Sequence, residues 1–378
     1  MKTKLLAVIA AGVAAMQTQG RGEVTSAPPG GYVKVEIEGR AANVVAVPLR
    51  KRGAFTGRIV ESGSNQLSFS QTGWETNQFG AAEGKPRFYA EVVTGSLVGV
   101  YFPIVANTVD TLTLEVGGHD LTAAFPGLGT LKADTVGEGS SSPGDLIRVR
   151  PAWTLSELFG GNGEILDEFA DAAAAAPYNG GDRIFVPDDE GVGFRKAPKY
   201  TLSYIANSGW RDIADLNVDH GDTAMLPGKP VIVHRNAAEG RDLVVVGYPK
   251  LDRSALWVPG SSTELANLAY AASVFSEPLS LEESGLSDPG AEIIEDSLSL
   301  AQNGDELFLY NGSRGGPFAP PEQRFVNLSS GGWRERGSDS TTVGEAEALL
   351  PGRGFGILKS PGKVGRYWIS LPGYLSPE

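Results

Sequence analysis

Apolar and polar residues alternate with a period of two along much of this chain. In Tyr32-Val33-Lys34-Val35-Glu36-Ile37-Glu38, Val33, Val35 and Ile37 fall on one face of an extended segment. Thr111-Leu112-Thr113-Leu114-Glu115-Val116 repeats the pattern, and Asp145 to Arg150 reads as a further strand. Phe55 to Glu61 and Asn65 to Ser70 flank Ser62-Gly63-Ser64, a hairpin signal. Asn43 to Leu49, Phe88 to Val93 and Gly99 to Val105 complete seven or eight short strands. Residues 31–150 therefore predict a small β-sandwich or barrel module. Gly127 to Pro143 is a Gly/Ser-rich loop within it.

The second half of the chain is written twice. Gly181-Asp182-Arg183-Ile184-Phe185-Val186 returns as Gly304-Asp305-Glu306-Leu307-Phe308-Leu309, 123 residues later. Gly209-Trp210-Arg211-Asp212 returns as Gly332-Trp333-Arg334-Glu335, Leu226-Pro227-Gly228 as Leu350-Pro351-Gly352, and Gly247-Tyr248 as Gly373-Tyr374. Thr154-Leu155-Ser156 is echoed around Leu281. Matched anchors in one order at near-constant spacing define a tandem module of about a hundred residues. Residues 151–250 are one β repeat copy and 278–378 the other, with 251–277 as a connector. Thr154 to Phe159 predicts one helical turn. The Ala172 to Ala176 run favours helix, has no counterpart in the second copy and reads as a loop insertion. Thr263 to Val274 is read as including a short helix. The fold class expected is all-β: an N-terminal module followed by two tandem homologous modules.

The first residues change the picture from fold to location. Lys2 and Lys4 precede an apolar run from Leu5 to Met16, and Val13 and Ala15 suit a cleavage after Ala15. Residues 1–15 are read as a secretory signal peptide and 16–30 as a flexible leader, so the expected location is extracellular or in the cell envelope. No later run approaches the ~20 apolar residues of a membrane helix. The chain has no cysteine, which excludes disulfides, thiolate zinc sites and iron–sulfur clusters. The formal charge is −13, and an acidic surface argues against nucleic acid as a partner.

Candidate chemistry is sparse. The three histidines, His119, His220 and His234, accompany no Gly-x-Ser-x-Gly elbow. Ser360-Pro361-Gly362-Lys363 matches Ser-x-x-Lys, but Pro-Gly after the serine reads as a turn. Glu292, Glu295 and Asp296 are acids close in sequence, and spacing alone assigns them no catalytic pairing. Asp215-Leu216-Asn217-Val218-Asp219 resembles the start of a calcium loop, which makes Asp215, Asn217 and Asp219 the candidate calcium ligands. The loop's glycine falls one place late, and Leu226 stands where a bidentate glutamate belongs; an acidic surface loop is the competing reading. Trp210 and Trp333, exposed, would stack on sugar rings; buried, they pin the core of each repeat, and duplication at a Gly-Trp-Arg corner favours the core.

Several runs together resemble a known group. Ala54-Phe55-Thr56-Gly57, Trp74-Glu75-Thr76-Asn77-Gln78-Phe79, Ala106-Asn107-Thr108-Val109-Asp110-Thr111-Leu112-Thr113-Leu114, Trp153-Thr154-Leu155 and the two Gly-Trp-Arg/Leu-Pro-Gly blocks look like an uncharacterised family of exported proteins from Verrucomicrobia-type bacteria. The resemblance implies a secreted β-rich protein and no activity. The functional expectation is a non-catalytic cell-surface or extracellular structural or adhesion protein, with self-association and a cell-surface glycan as candidate partners. A glycan-binding protein and a polysaccharide hydrolase with an acidic pair are the alternatives.

Overall fold

The computed structural model describes residues 30–372 apart from 71, 82–84, 138–139, 161–164, 171–179, 289–292, 300–303, 311–319, 330 and 338–346. The expected signal peptide, the expected leader up to residue 29, the Ala172 to Ala176 run and the Gly373-Tyr374 match lie outside the described residues. Among those described, the fold is all-β with one short helix, Leu155–Phe159.

Six antiparallel strands close into a barrel, in the order Leu146–Pro151, Phe55–Ser62, Gln66–Phe69, Thr111–Leu114, Tyr101–Asn107, Phe88–Val92. Alternation fills its interior: Ile59, Leu67, Ile104, Leu112, Ile147 and Val149 are fully buried. Closure removes the open edges that a six-stranded sheet would otherwise expose. Thr135–Gly137 and Ser140–Ser142 form a small hairpin inside the stretch expected to be loop.

The module boundaries differ from those expected. Gly31–Ile37 pairs with Arg241–Gly247, and Ala41–Val45 pairs with Val231–Arg235. Residues 31–45 therefore belong to the first repeat copy, and the barrel is inserted into that copy. Residues 251–277 are not a connector either. Ser254–Val258 pairs with Arg366–Ser370, and Asn267–Ala272, within the Thr263 to Val274 stretch expected to include a short helix, is a strand paired with Gly354–Lys359. Alternation shows that a segment is a strand but not which distant strand completes its hydrogen bonds.

Each copy is a main sheet covered on one face by a two-stranded ribbon. The first sheet runs Asp215–Asp219, Gly209–Asp212, Tyr200–Ile205, Arg183–Val186, Val231–Arg235, Ala41–Val45. The second runs Gly332–Glu335, Gln323–Leu328, Glu306–Leu309, Gly354–Lys359, Asn267–Ala272, the same order without the outermost strand among the described residues. Thr154 caps the helix through a reciprocal box with Glu157. In the second copy Glu283 N likewise donates to Ser280 Oγ, and Ser280 Oγ donates to the Glu283 carboxylate.

A buried ion pair stands at the matching place in each of the two sheets. Arg235 Nη1 lies 2.6 Å from Asp182 Oδ2, and Lys359 Nζ lies 2.6 Å from Asp305 Oδ2. The carboxylates accept backbone N–H groups from Asp167 and Asn236 in one copy, and from Glu295 and Ser360 in the other. The cations donate to the Ile165 and Ile293 carbonyls. The Gly-Asp motif, which reads as a turn into a strand, thus supplies each core with a fully engaged carboxylate.

The copies hold each other by an exchange. Ala46 N donates to the Gly352 carbonyl at 2.9 Å, and Ala272 N donates to the Gly228 carbonyl at 3.1 Å. Both glycines end a Leu-Pro-Gly turn with positive φ, 69° at Gly228 and 74° at Gly352. The same contact made in both directions is what a pseudo-two-fold relation between the copies requires.

Candidate binding cleft

The repeated Ile-Phe-Val and Leu-Phe-Leu strands place their aliphatic residues in the two copy cores, so the intervening phenylalanine must face the other way. Phe185 does so with Val44 and Ile232, against Tyr270 and Tyr310 of the second copy. Where these second faces meet, a cleft of about 370 Å³ opens. That volume lies in the range of small-ligand sites. Its floor holds Phe185, Ile232, Leu268, Tyr270, Phe308 and Leu358; the segment from Pro187 to Pro198 walls it on one side, and Tyr310, Pro320, Pro321 and Arg324 on the other.

The first-copy wall is anchored across the boundary. Leu268 N donates to the Gly193 carbonyl at 3.1 Å, and Gly193 N to Asn267 Oδ1 at 3.2 Å. Phe194 meets Phe308 edge-on with ring centroids 6.2 Å apart, and remains 45% exposed. Most charges are already engaged. Arg324 clamps Glu306 through Nε and Nη2 and lies over the Phe308 ring. Asp189 pairs with Lys229 at 2.7 Å, and Asp188 accepts from Glu190 N. Lys196 Nζ donates to the Gly191 carbonyl at 2.9 Å. Burial lowers the Lys196 pKa, against the opposing influence of Asp189 and Asp188. Burial raises the hydroxyl pKa values of Tyr270 and Tyr310.

The residues singled out from sequence lie elsewhere. Asp215, Asn217 and Asp219 sit on an exposed strand at the edge of the first sheet, not in a loop. Asp215 Oδ1 accepts from Asn217 N, and Asp219 Oδ1 accepts from Gly221 N. Acids on an open edge discourage pairing with another chain, which gives their alternation a structural role. Among the described residues, no group of three or more His, Asp or Glu side chains is placed to hold a metal ion. Trp210 and Trp333 are each 2% exposed, so neither ring is open to a sugar. Trp210 Nε1 donates to the Gly160 carbonyl at 3.1 Å.

The other acids are likewise committed. Glu295 pairs with Lys363, Asp296 accepts from Asn327, and Glu292 lies outside the described residues. Ser360 to Lys363 forms a turn. His119 packs among Phe125, Trp257 and Tyr367.

A charged hub went unread in the sequence. Glu91, 4% exposed in the barrel wall, meets Arg50, Arg150 and Lys250 at 2.5, 2.9 and 2.6 Å. These cations mark where the chain enters the barrel, leaves it, and passes from the first copy to the second. Burial would raise the carboxyl pKa, but the three cations outweigh burial and hold it at about 2. The signal was one acid inside the apolar run Phe88 to Val93.

No family model matches the chain, and no curated protein or solved structure matches it either.

Proposed function

We propose that this chain is an exported, non-catalytic protein of the cell surface or extracellular space, with a structural or adhesive role. The observation that supports this reading is where the duplicated side chains sit. Both tryptophans, both Gly-Asp carboxylates and both Leu-Pro-Gly turns serve the two cores or the contact between the copies. Such a molecule meets its surroundings through surfaces, as the resemblance to exported β-rich proteins would have it. Light scattering on the purified protein, with and without calcium, tests self-association and the Asp215, Asn217 and Asp219 site together. Calcium-dependent large species support a surface assembly and a metal-bridged edge. A calcium-indifferent monomer that binds no cells removes both.

The cleft favours a second reading, glycan binding. Aromatic rings beside hydroxyls and cations are the groups that take sugar rings. A screen over neutral and acidic polysaccharides tests it, and binding to none of them rejects it.

A further inference from the structure

We propose that the cleft between the copies binds an acidic sugar unit, a pyranose bearing a carboxylate, with its ring against Phe194 and its carboxylate on Lys196. The inference rests on the glycan-binding reading and names the sugar class. Phe194 supplies the exposed ring, held edge-on against the buried Phe308. The other cations of the lining differ from Lys196 in position or commitment. Arg324 is bound by Glu306, whereas Lys196 has no carboxylate within ion-pair distance among the described residues and donates only to the Gly191 carbonyl. A half-buried ammonium beside apolar rings is incompletely solvated, so an anion placed on it regains interaction that water no longer supplies. Arg195, adjacent and exposed, extends the positive side of the cleft.

The occupant is a sugar rather than a peptide because the backbone here is already used. Peptides commonly bind β-proteins by adding a strand to an open edge. The nearest edge, Asn267–Ala272, gives its Leu268 N–H to Gly193, and the Asn267 side chain accepts from Gly193 N. The Phe194 ring, the tyrosine hydroxyls and the Lys196 ammonium remain as recognition groups, since Asp189 is held by Lys229 and Asp188 accepts from Glu190 N, and these suit a polyhydroxylated ring with one negative charge.

Calorimetric titration of the purified protein tests this with hexagalacturonate, alginate hexamer and a hyaluronate fragment, each against its methyl ester, and with a proline-rich decapeptide. At least one acidic sugar is expected to bind, and its ester to bind roughly ten- to a hundredfold more weakly. Lys196→Gln should reproduce that loss, and Phe194→Ala should weaken acid and ester alike. Unchanged melting temperatures show that both variants stay folded; if Lys196→Gln does not, Lys196→Arg should keep binding. Equal affinity for acid and ester, acid binding untouched by Lys196→Gln, or binding of neutral glycans alone overturns the acidic-sugar assignment and leaves glycan binding standing. Binding of no glycan rejects both. Peptide binding lost in Phe194→Ala gives the cleft to a different occupant and overturns the proposal.

Discussion

The two ribbons occupy equivalent places in the two copies and meet opposite surroundings. In the second copy, Ala255, Trp257, Tyr367 and Ile369 face outward and pack on the barrel. The corresponding residues of the first copy are Lys34, Glu36, Asp242 and Val244, aligned by the same antiparallel register. There Lys34 and Asp242 form an exposed ion pair at 2.8 Å, and Val244 is 54% exposed. The inner faces of both ribbons stay apolar: Val35, Ile37 and Leu243 in one, Leu256, Val258 and Trp368 in the other. Two ribbons of the same register thus share apolar inward positions and differ in their outward ones according to what lies against them. One face is dressed for water, the other for the inserted barrel.

The largest effect is expected from detaching the barrel electrostatically. Glu91→Gln leaves Arg50, Arg150 and Lys250 buried without their shared carboxylate, and should cost about 3–5 kcal/mol in urea unfolding. A loss below 1 kcal/mol would mean that the hub does not hold the junction. The ribbon comparison is sharpened by a matched pair. Trp257→Ala should cost about 2–4 kcal/mol, because it removes a ring packed on the barrel. Its counterpart Glu36→Ala should stay within about 0.5 kcal/mol of the parent. Similar costs for the two would erase the distinction between the faces.

The Leu-Pro-Gly turns provide a smaller, graded test. A Cβ at Gly352 would lie 2.2 Å from Val35 Cγ2, whereas at Gly228 the nearest atom, Leu256 Cδ2, is 3.1 Å away. Both glycines have positive φ, so Gly228→Ala should lower stability by about 1 kcal/mol and Gly352→Ala by about 2–3 kcal/mol. Equal melting temperatures for the two variants would contradict the geometry.

The smallest effect is in pH. Burial lowers the His119 pKa from its usual 6.5. Above 6.5 the group is neutral folded or unfolded and contributes no slope. As pH falls through 6.5 the unfolded chain takes up the proton first, so stability declines. His119→Gln should flatten the melting profile just below pH 6.5. Glu91 acts lower on the scale: its stabilisation is complete above its usual 4.5 and is lost as pH falls towards about 2.

Much of the framework was legible because turn glycines, the Gly-Trp-Arg corner and the Ile-Phe-Val run are backbone and core requirements that tolerate little change. The start of the first copy was hidden for the opposite reason. Ala41 and Val44 stand where Asn267 and Tyr270 stand in the second copy, so pairing is shared where identity is not. The barrel then separates the opening strands from the rest of their sheet. Asp182 and Asp305 were visible as part of a repeated Gly-Asp turn, but their cations, Arg235 and Lys359, come from a distant strand and are identified only by the structure. The cleft had one signal, a phenylalanine between two core aliphatics in both copies. Its walls come from segments of opposite copies, and no local motif encodes their meeting.

The central claim is that the two copies clasp each other through reciprocal backbone bonds around one pseudo-two-fold relation. Amide hydrogen exchange at Ala46 and Ala272 tests it most directly. Both amides should fall in the same slow class, exchanging only with global unfolding, and Gly352→Ala should speed Ala46 in particular. Exchange of either amide at the rate of an exposed loop, in the parent protein, would contradict it.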